Sequence, residues 1–360
     1  MSDNKIMNDQ KNKPCIVSIA TASPPYSLNQ AQARDFMLRN YGKILSPRNR
    51  EVMEKVFAHP GIGKRNFTFE NPDMLVDEGP DGRINRFQEW AVDLSAQAAS
   101  KALECAGCGV DDVDGIVVNT CTGYLCPGVS TYLIEKMGLS RRVKAYDLVG
   151  SGCGGAIPNL ELAGGLLNGN GKGVVLSVSV EICTATFQME DDLNLIISNA
   201  IFGDGAAAAV VRKGTQGIEM VDSTSLYAPE HREAVRYVYK NGQLHNRIAQ
   251  RLPKIVKDSV GILINGLLSR NSLKIGDISH WAMHASGDKI IDAIQDELGL
   301  AEELLKPTRK TLYNHGNMSS ATVWFVMEEI MNNGTRKGDW FVAIAFGAGF
   351  SAHAFLLRKN

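Results

Sequence analysis

The chain has 360 residues, a formal net charge of −1, and 44% hydrophobic against 21% charged residues. That size allows two domains or one large α/β domain, and the balanced charge excludes a bulk electrostatic affinity for nucleic acid or an anionic membrane, leaving only a local basic patch. Seven cysteines without framework spacing, a polar start without a signal-peptide core, and no apolar run of membrane-spanning length predict a reducing, cytoplasmic setting.

In chain order, residues 1–14 read as a disordered tail. Cys15 to Ala22 is a strand ended by Ser23-Pro24-Pro25. Asn29 caps a helix to about Asn40, and Pro47 to Phe57 is a second helix. Lys55, Lys64 and Arg65 cluster near its end, as a solvated surface or as a phosphate contact. Phe69 to Arg86 reads as a long loop, Phe87 to Ala106 as a helix with Trp90, Leu94, Ala98 and Ala102 on its apolar face, and Asp114 to Asn119 as a buried strand. Cys105 and Cys108 make one CxxC with no second ligand pair, so no metal site is predicted. Cys121 to Gly128 is a loop, and a helix follows from Ser130 to Met137.

A strand-like run from Val143 to Val149 then enters Gly150-Ser151-Gly152-Cys153-Gly154-Gly155, and a helix begins near Pro158, which fits a first turn. Cys153 therefore stands at a helix N-terminus, where free N–H groups and the helix dipole favour a thiolate. The alternative is a buried, inert cysteine. Gly173 to Val180 is a strand, a short helix runs to Ile201, Phe202-Gly203-Asp204-Gly205 is a tight turn, and Ala206 to Val211 is a strand.

The remainder repeats the strand–loop–helix theme. Gly217 to Leu226 is strand-like, Ala228 to Gln250 is polar and has no clear element, and Pro253 to Arg270 is a long helix. Trp281 to His284 ends a strand, and a helix passes through Ile290, Ile291 and Ile294. Asn314 to Ser320 opens a helix to Met331; Trp340 to Ile344 and Ala352 to Leu357 are strands around Phe346-Gly347-Ala348-Gly349. The predicted organisation is α/β, with halves at 15–213 and 214–360.

Cys153, His284 and Asn317 each stand at a strand-to-helix turn, where α/β folds expose reactive groups. A histidine supports a thiolate, and a carboxamide offers an uncharged donor to a developing oxyanion. Singly, His284 reads as a structural histidine and Asn317 as a helix cap; their joint placement points to chemistry.

With Thr122-Gly123, Pro127-Gly128, the Gly150–Cys153 elbow, Glu181, Thr186-Phe187, Phe202 to Ala206, Trp281-x-x-His284-x-x-Gly287, Gly316 to Ser320 and Phe346 to Gly349, the chain resembles the chalcone and stilbene synthase family, the type III polyketide synthases of the thiolase superfamily, over residues 15–358. The resemblance implies a thiolase-like fold of two pseudo-duplicated halves in α-β-α-β-α layers. It implies that Cys153 takes an acyl starter from acyl-CoA, that His284 and Asn317 hold malonyl-CoA during decarboxylation, and that no cofactor is required. It further implies that Phe202 is a gatekeeper, that Cys121, Thr122, Cys183, Thr186 and Ser319 line the cavity, that Lys55 contacts coenzyme A with Lys64 and Arg65 nearby, and that the protein is a homodimer with Cys126 near the interface.

Three departures point to a bacterial branch. Asn246 stands where plant enzymes have a second gatekeeping phenylalanine, Ala348 replaces a proline, and Ala285-Ser286 replaces Pro-Gly. The segment around Arg236-Tyr237 resembles dihydroxyphenylacetyl-CoA synthases, which start from malonyl-CoA; fatty acyl starters giving alkylresorcinols or alkylpyrones are the other expectation. The alternatives are a β-ketoacyl-acyl carrier protein synthase III, which usually carries His-Gln-Ala-Asn where this chain has His284-Ala285-Ser286-Gly287, and a non-catalytic partner subunit of a synthase complex.

Overall fold

The computed structural model describes residues 13–167 and 173–360. The tail predicted over 1–14 lies outside the described residues up to residue 12, and Pro14 is already in the first strand. The N-terminal half runs β1 (Pro14–Ala22), β2 (Tyr26–Asn29), α1 (Gln30–Tyr41), α2 (Pro47–Phe57), β3 (Lys64–Phe67), α3 (Pro80–Ala106), β4 (Val113–Asn119), α4 (Val129–Met137), β5 (Lys144–Leu148), α5 (Ala156–Leu166), β6 (Val174–Glu181), α6 (Leu193–Ile201) and β7 (Gly205–Lys213). The C-terminal half runs β8 (Ile218–Tyr227), β9 (Val235–Lys240), β10 (Gln243–Ile248), α7 (Leu252–Arg270), β11 (His280–Met283), α8 (Asp288–Leu298), α9 (Glu302–His315), α10 (Thr322–Asn332), β12 (Trp340–Gly347) and β13 (Ser351–Lys359).

The strands order as β11-β12-β13-β8-β1-β7-β6-β4-β5. Only Cys15↔Glu219 and Ile16↔Ile218 join β1 to β8, so this is two sheets hinged at their edges. Each half repeats one plan: two antiparallel pairings (β1–β7–β6; β8–β13–β12) and then a parallel one (β6–β4; β12–β11).

Alternation along the strands sets the layers. In β7, Ala207, Ala209 and Val211 face a central core, while Ala206, Ala208 and Val210 face α3. In β12, Phe341, Ala343 and Ala345 face the same central core, while Val342, Ile344 and Phe346 face α7 and α8. Between the sheets lie α5 and α10. The run Val323-Trp324-Phe325-Val326-Met327 is buried on every side, as a helix covered by two sheets must be. The result is the five-layered thiolase-like fold, with the central helices delivering their N-termini to one region.

Four segments differ from the sequence expectation. The loop predicted over Phe69 to Arg86 ends early, because α3 starts at Pro80, a residue suited to a first helical turn; its buried face runs through Phe87, Ala91 and Leu94, with Trp90 only half-buried. The polar stretch from Ala228 to Gln250 contains the β9–β10 hairpin, turned by Asn241 (φ 52°) and Gly242 (φ 73°). An Asn-Gly turn between alternating residues is a strong hairpin signal that the surrounding polarity masks. The short strands β2 and β3 pair across an intervening helical segment, and α9 fills a stretch left unassigned.

Candidate active site

Cys153 sits in a 3₁₀ turn, Gly152–Gly155, that runs directly into α5. Gly152 has φ +55°, which favours glycine. The glycine-rich loop after β12 packs against this turn: a Cβ at Gly347 would lie 2.3 Å from Ser151 O and 2.9 Å from Cys153 N, so only glycine fits. Asn317 does not follow a strand as expected: it stands between α9 and α10, just ahead of the 3₁₀ turn Ser319–Ala321 that enters α10, and this turn packs against that of Cys153. His284 follows β11, with its backbone N–H donating to Ile344 O (2.8 Å) and its ring, whose two nitrogens are separate from that bond, edge-on to Phe346 at 5.2 Å.

Cys153, His284 and Asn317 all line one cavity of about 640 Å3. Its walls are largely apolar, with Val56, Ile197, Ile201, Ile248, Leu252 and Leu312. Its rim carries the exposed cations Arg48, Lys55 and Lys289, with His59. Thus a charged entrance leads to a low-dielectric floor holding three polar groups.

Both nitrogens of His284 are buried without a hydrogen-bond partner among the described residues. Asn317 Oδ1 accepts the Ser319 N–H (2.8 Å), which orients the amide so that Nδ2 remains the free donor. Burial pushes the Cys153 thiol up to about 12, with Glu181 adding to the rise and a Ser319 hydrogen bond opposing it. Burial pulls His284 down to about 3. The thiolate expected from the helix terminus is therefore not favoured on its own: desolvation outweighs the dipole. Either charge alone is costly here, so both groups rest neutral, as thiol and imidazole.

The other predicted residues separate into groups. Phe202 lines this cavity and also a small one of about 50 Å3, whose walls include Cys183, Thr186 and Asn246. It thus stands between the two spaces. Cys121, Thr122 and Ser319 line neither wall; they gather around Glu181, a fully buried carboxylate. Glu181 accepts from Cys121 N–H (3.0 Å), Thr122 Oγ1 (2.9 Å), Ser319 Oγ (3.2 Å) and Ser320 Oγ. Burial raises its pKa and these donors oppose the rise. Ser319 holds φ +50°, a strained value for a non-glycine that costs roughly 1–2 kcal/mol. That turn places its hydroxyl 3.3 Å from Cys153 Sγ.

The basic group fares unevenly. Lys55 is on the rim, paired with Glu51 on its own helix (2.6 Å). Lys64 is exposed and is not among the cavity-lining residues. Arg65 is 2% exposed and belongs to the core, not to a coenzyme A contact. Along β3 the side chains alternate, so Lys64 faces out and Arg65 faces in. Sequence reasoning missed Arg48, His59 and Lys289, although Arg48, Val52, Lys55 and Val56 share one face along α2 and His59 follows just past its end. It also missed Tyr237 as a cavity neighbour; its hydroxyl lies 3.3 Å from Thr186 Oγ1. Among the described residues no group of three or more His, Cys, Asp or Glu side chains could hold a metal ion, and no helix is long and apolar enough to cross a membrane.

The family models for chalcone and stilbene synthases match the chain over residues 2–215 (N-terminal domain) and 219–360 (C-terminal domain). The chain belongs to the chalcone and stilbene synthase family. Among its relatives, a 3,5-dihydroxyphenylacetyl-CoA synthase from Streptomyces toyocaensis is 27% identical, with 96% of this chain and 90% of that protein covered. A 1,3,6,8-tetrahydroxynaphthalene synthase from Streptomyces peucetius subsp. caesius is 28% identical over 95% and 92%. Among solved structures, PKS-I from the brown alga Ectocarpus siliculosus superposes with a TM-score of 0.90 at 26% identity, covering 98% of this chain and 99% of that one. The tetrahydroxynaphthalene synthase of Streptomyces coelicolor, a bacterial type III polyketide synthase, shares the fold with a TM-score of 0.89 at 22% identity, covering 96% of this chain and 99% of that one. The chain is thus a type III polyketide synthase, a condensing acyltransferase of this family.

Proposed function

We propose that the enzyme loads an acyl group from acyl-CoA onto Cys153 and extends it with malonyl-CoA. The carrying observation is that a thiol, an imidazole and a free amide donor share the floor of one apolar cavity with a basic rim. In loading, His284 takes the thiol proton as Cys153 sulfur attacks the thioester carbonyl. The carbon–sulfur bond to coenzyme A breaks, and the departing thiolate takes the proton back. In extension, the malonyl C–CO2 bond breaks and its electron pair forms an enolate. His284 N–H and Asn317 Nδ2 donate to the enolate oxygen, each such donor being worth about 100- to 1000-fold. The enolate carbon attacks the acyl carbonyl, and Cys153 sulfur leaves.

Arg48, Lys55 and Lys289 are positioned to hold coenzyme A phosphates by charge. No cofactor enters this scheme, because both charge-separating steps use donors the chain supplies. A homodimer is supported by the edge strand β5, which carries exposed Tyr146 and is followed by exposed Val149, with exposed Tyr124 and Cys126 in the loop after β4.

The relatives include a 3,5-dihydroxyphenylacetyl-CoA synthase, a 1,3,6,8-tetrahydroxynaphthalene synthase and the alpha-pyrone synthesis polyketide synthase-like Pks18 of Mycobacterium tuberculosis. Incubation with malonyl-CoA alone, and then with short and long acyl-CoAs, tests the reading through carbon dioxide release and product mass. Products from malonyl-CoA alone assign the dihydroxyphenylacetyl-CoA type, and products that need long acyl-CoA assign the alkylresorcinol or alkylpyrone type. Use of carrier-protein-bound malonate only would assign the β-ketoacyl synthase III reaction, and no turnover at all would leave the partner-subunit role.

A further inference from the structure

A helix ends with four carbonyls that no donor within it can reach. At the end of α6 all four are taken from elsewhere in the chain. Arg65 Nη1 donates to Asn199 O (2.7 Å) and Phe202 O (2.8 Å), Gln30 Nε2 donates to Ala200 O (2.9 Å), and the Asn317 N–H donates to Ile201 O (2.8 Å). Arg65 Nε also donates to Gln30 Oε1 (3.0 Å), so the two side chains act as one clamp. The guanidinium lies 5.1 Å from the Phe67 ring and 5.8 Å from that of Phe57, and burial lowers its pKa only to about 9, so it keeps its charge at neutral pH.

The clamped segment carries two residues of the site. Phe202 divides the two cavities, and it forms a parallel bridge with Asn317, closed by the Gly203 N–H on Asn317 O (3.0 Å). From the other side, Gly316 (φ +68°) lies so close that a Cβ there would come 2.7 Å from Arg65 Cγ. One buried cation therefore touches both segments from which the gate and the amide donor project.

We infer that Arg65 is a positioning residue: by fixing the end of α6 it sets the placement of Phe202 and, through the backbone bridge, of the Asn317 amide. This rests on the function proposed above. Lysine at this position keeps the charge but cannot bind two carbonyls and Gln30 together with a planar fork. A shift of the donor by about 1 Å is enough to cost roughly 100-fold in a step that depends on it.

The test compares wild type, Arg65→Lys and Arg65→Met in two separate half-reactions: acylation of Cys153 followed by mass, and carbon dioxide release from malonyl-CoA without a starter. The expected result for Arg65→Lys is a ten- to hundredfold fall in the kcat of decarboxylation, little change in KM, acylation within about threefold of wild type, and a greater effect for Arg65→Met. Equal losses in both half-reactions, or none in either, would overturn the assignment. So would failure of both variants to fold, because the side chain would then serve the whole chain. Wild-type protein inactive in both half-reactions would instead overturn the proposed function.

Discussion

Ser319 Oγ lies 3.3 Å from Cys153 Sγ, 3.2 Å from Glu181 Oε1 and 3.2 Å from Cys121 Sγ, so one hydroxyl stands within hydrogen-bond reach of the nucleophile candidate and a buried carboxylate. The two neighbours act on the thiol in opposite directions: Glu181 raises its pKa and the Ser319 hydrogen bond lowers it. Ser319→Ala should therefore slow alkylation of Cys153 by iodoacetamide at a fixed pH. The isosteric Glu181→Gln should speed it. A shift of about one pKa unit either way changes the thiolate fraction about tenfold. Rate against pH, read by mass at Cys153, checks the sign; both variants moving the rate in one direction would refute the opposed action of Ser319 and Glu181.

His284 and Asn317 differ in what they offer the reaction. In the proposed reaction His284 is the proton acceptor for the thiol and a donor to the enolate, so His284→Ala should slow acylation and decarboxylation alike. The thiol is left in a site where burial holds its pKa near 12, and alkylation should climb steadily with alkaline pH. Asn317 offers only a donor. Asn317→Ala should reduce malonyl-CoA decarboxylation by about 100-fold while acylation of Cys153 stays within a few fold. Stopped-flow acylation and carbon dioxide release separate the two.

In the proposed reaction the rim cations act before any bond changes. Arg48→Glu combined with Lys55→Glu should raise KM for coenzyme A thioesters by about tenfold and leave kcat unchanged, the mark of an interaction equal in ground and transition states. Both residues are exposed, so the effect should shrink as salt rises from 20 mM to 500 mM, where charges a few ångströms apart are well screened. A KM difference indifferent to salt would mean that shape, and not charge, was altered.

Burial holds three histidines neutral: His284 falls to about 3, and His315 and His353 to about 4, against 6.5 for a free imidazole. The unfolded chain binds these protons at a higher pH than the folded one, so stability is fully present above about pH 6.5 and declines as pH falls from there toward 4. Each group costs up to about 1.4 kcal/mol per pH unit within that window. His353 is fully buried, with Nδ1 2.7 Å from Ser225 Oγ and Nε2 unpartnered. The melting temperature of His353→Gln should fall less steeply than that of wild type between pH 6.5 and 4.5, and equal slopes would exclude His353 from the acid response.

How far the sequence could be read depended on the range of the interactions involved. The turn at Cys153 was legible because the run from Val143 to Val149, the glycines and Pro158 are neighbours in the chain. The same holds for Asn29, which caps α1 through a reciprocal bond with Gln32 three residues on. The hairpin at Asn241-Gly242 carried its own local signal and was obscured only by the polarity of its strands, which lie against the cavity region and not in the main core. Arg65 was misread because the features that bury it, Phe57, Gln30, the end of α6 and Gly316, come from segments up to 251 residues away. The thiol's state was misread for the same reason: a helix terminus is visible in the sequence, whereas desolvation depends on everything packed around it.

By itself the sequence determined that Cys153 and His284 follow strands, since those choices rest on backbone propensity and on periods of two and 3.6 residues, but not that a helix precedes Asn317. The tertiary structure alone decided that the Cys153 and Asn317 turns meet, that Ser319 reaches both a thiol and Glu181, and which of two adjacent cations lies in water. Those outcomes follow from the packing of two sheets around α5 and α10, which brings residues more than 100 positions apart within a few ångströms and removes the water between them.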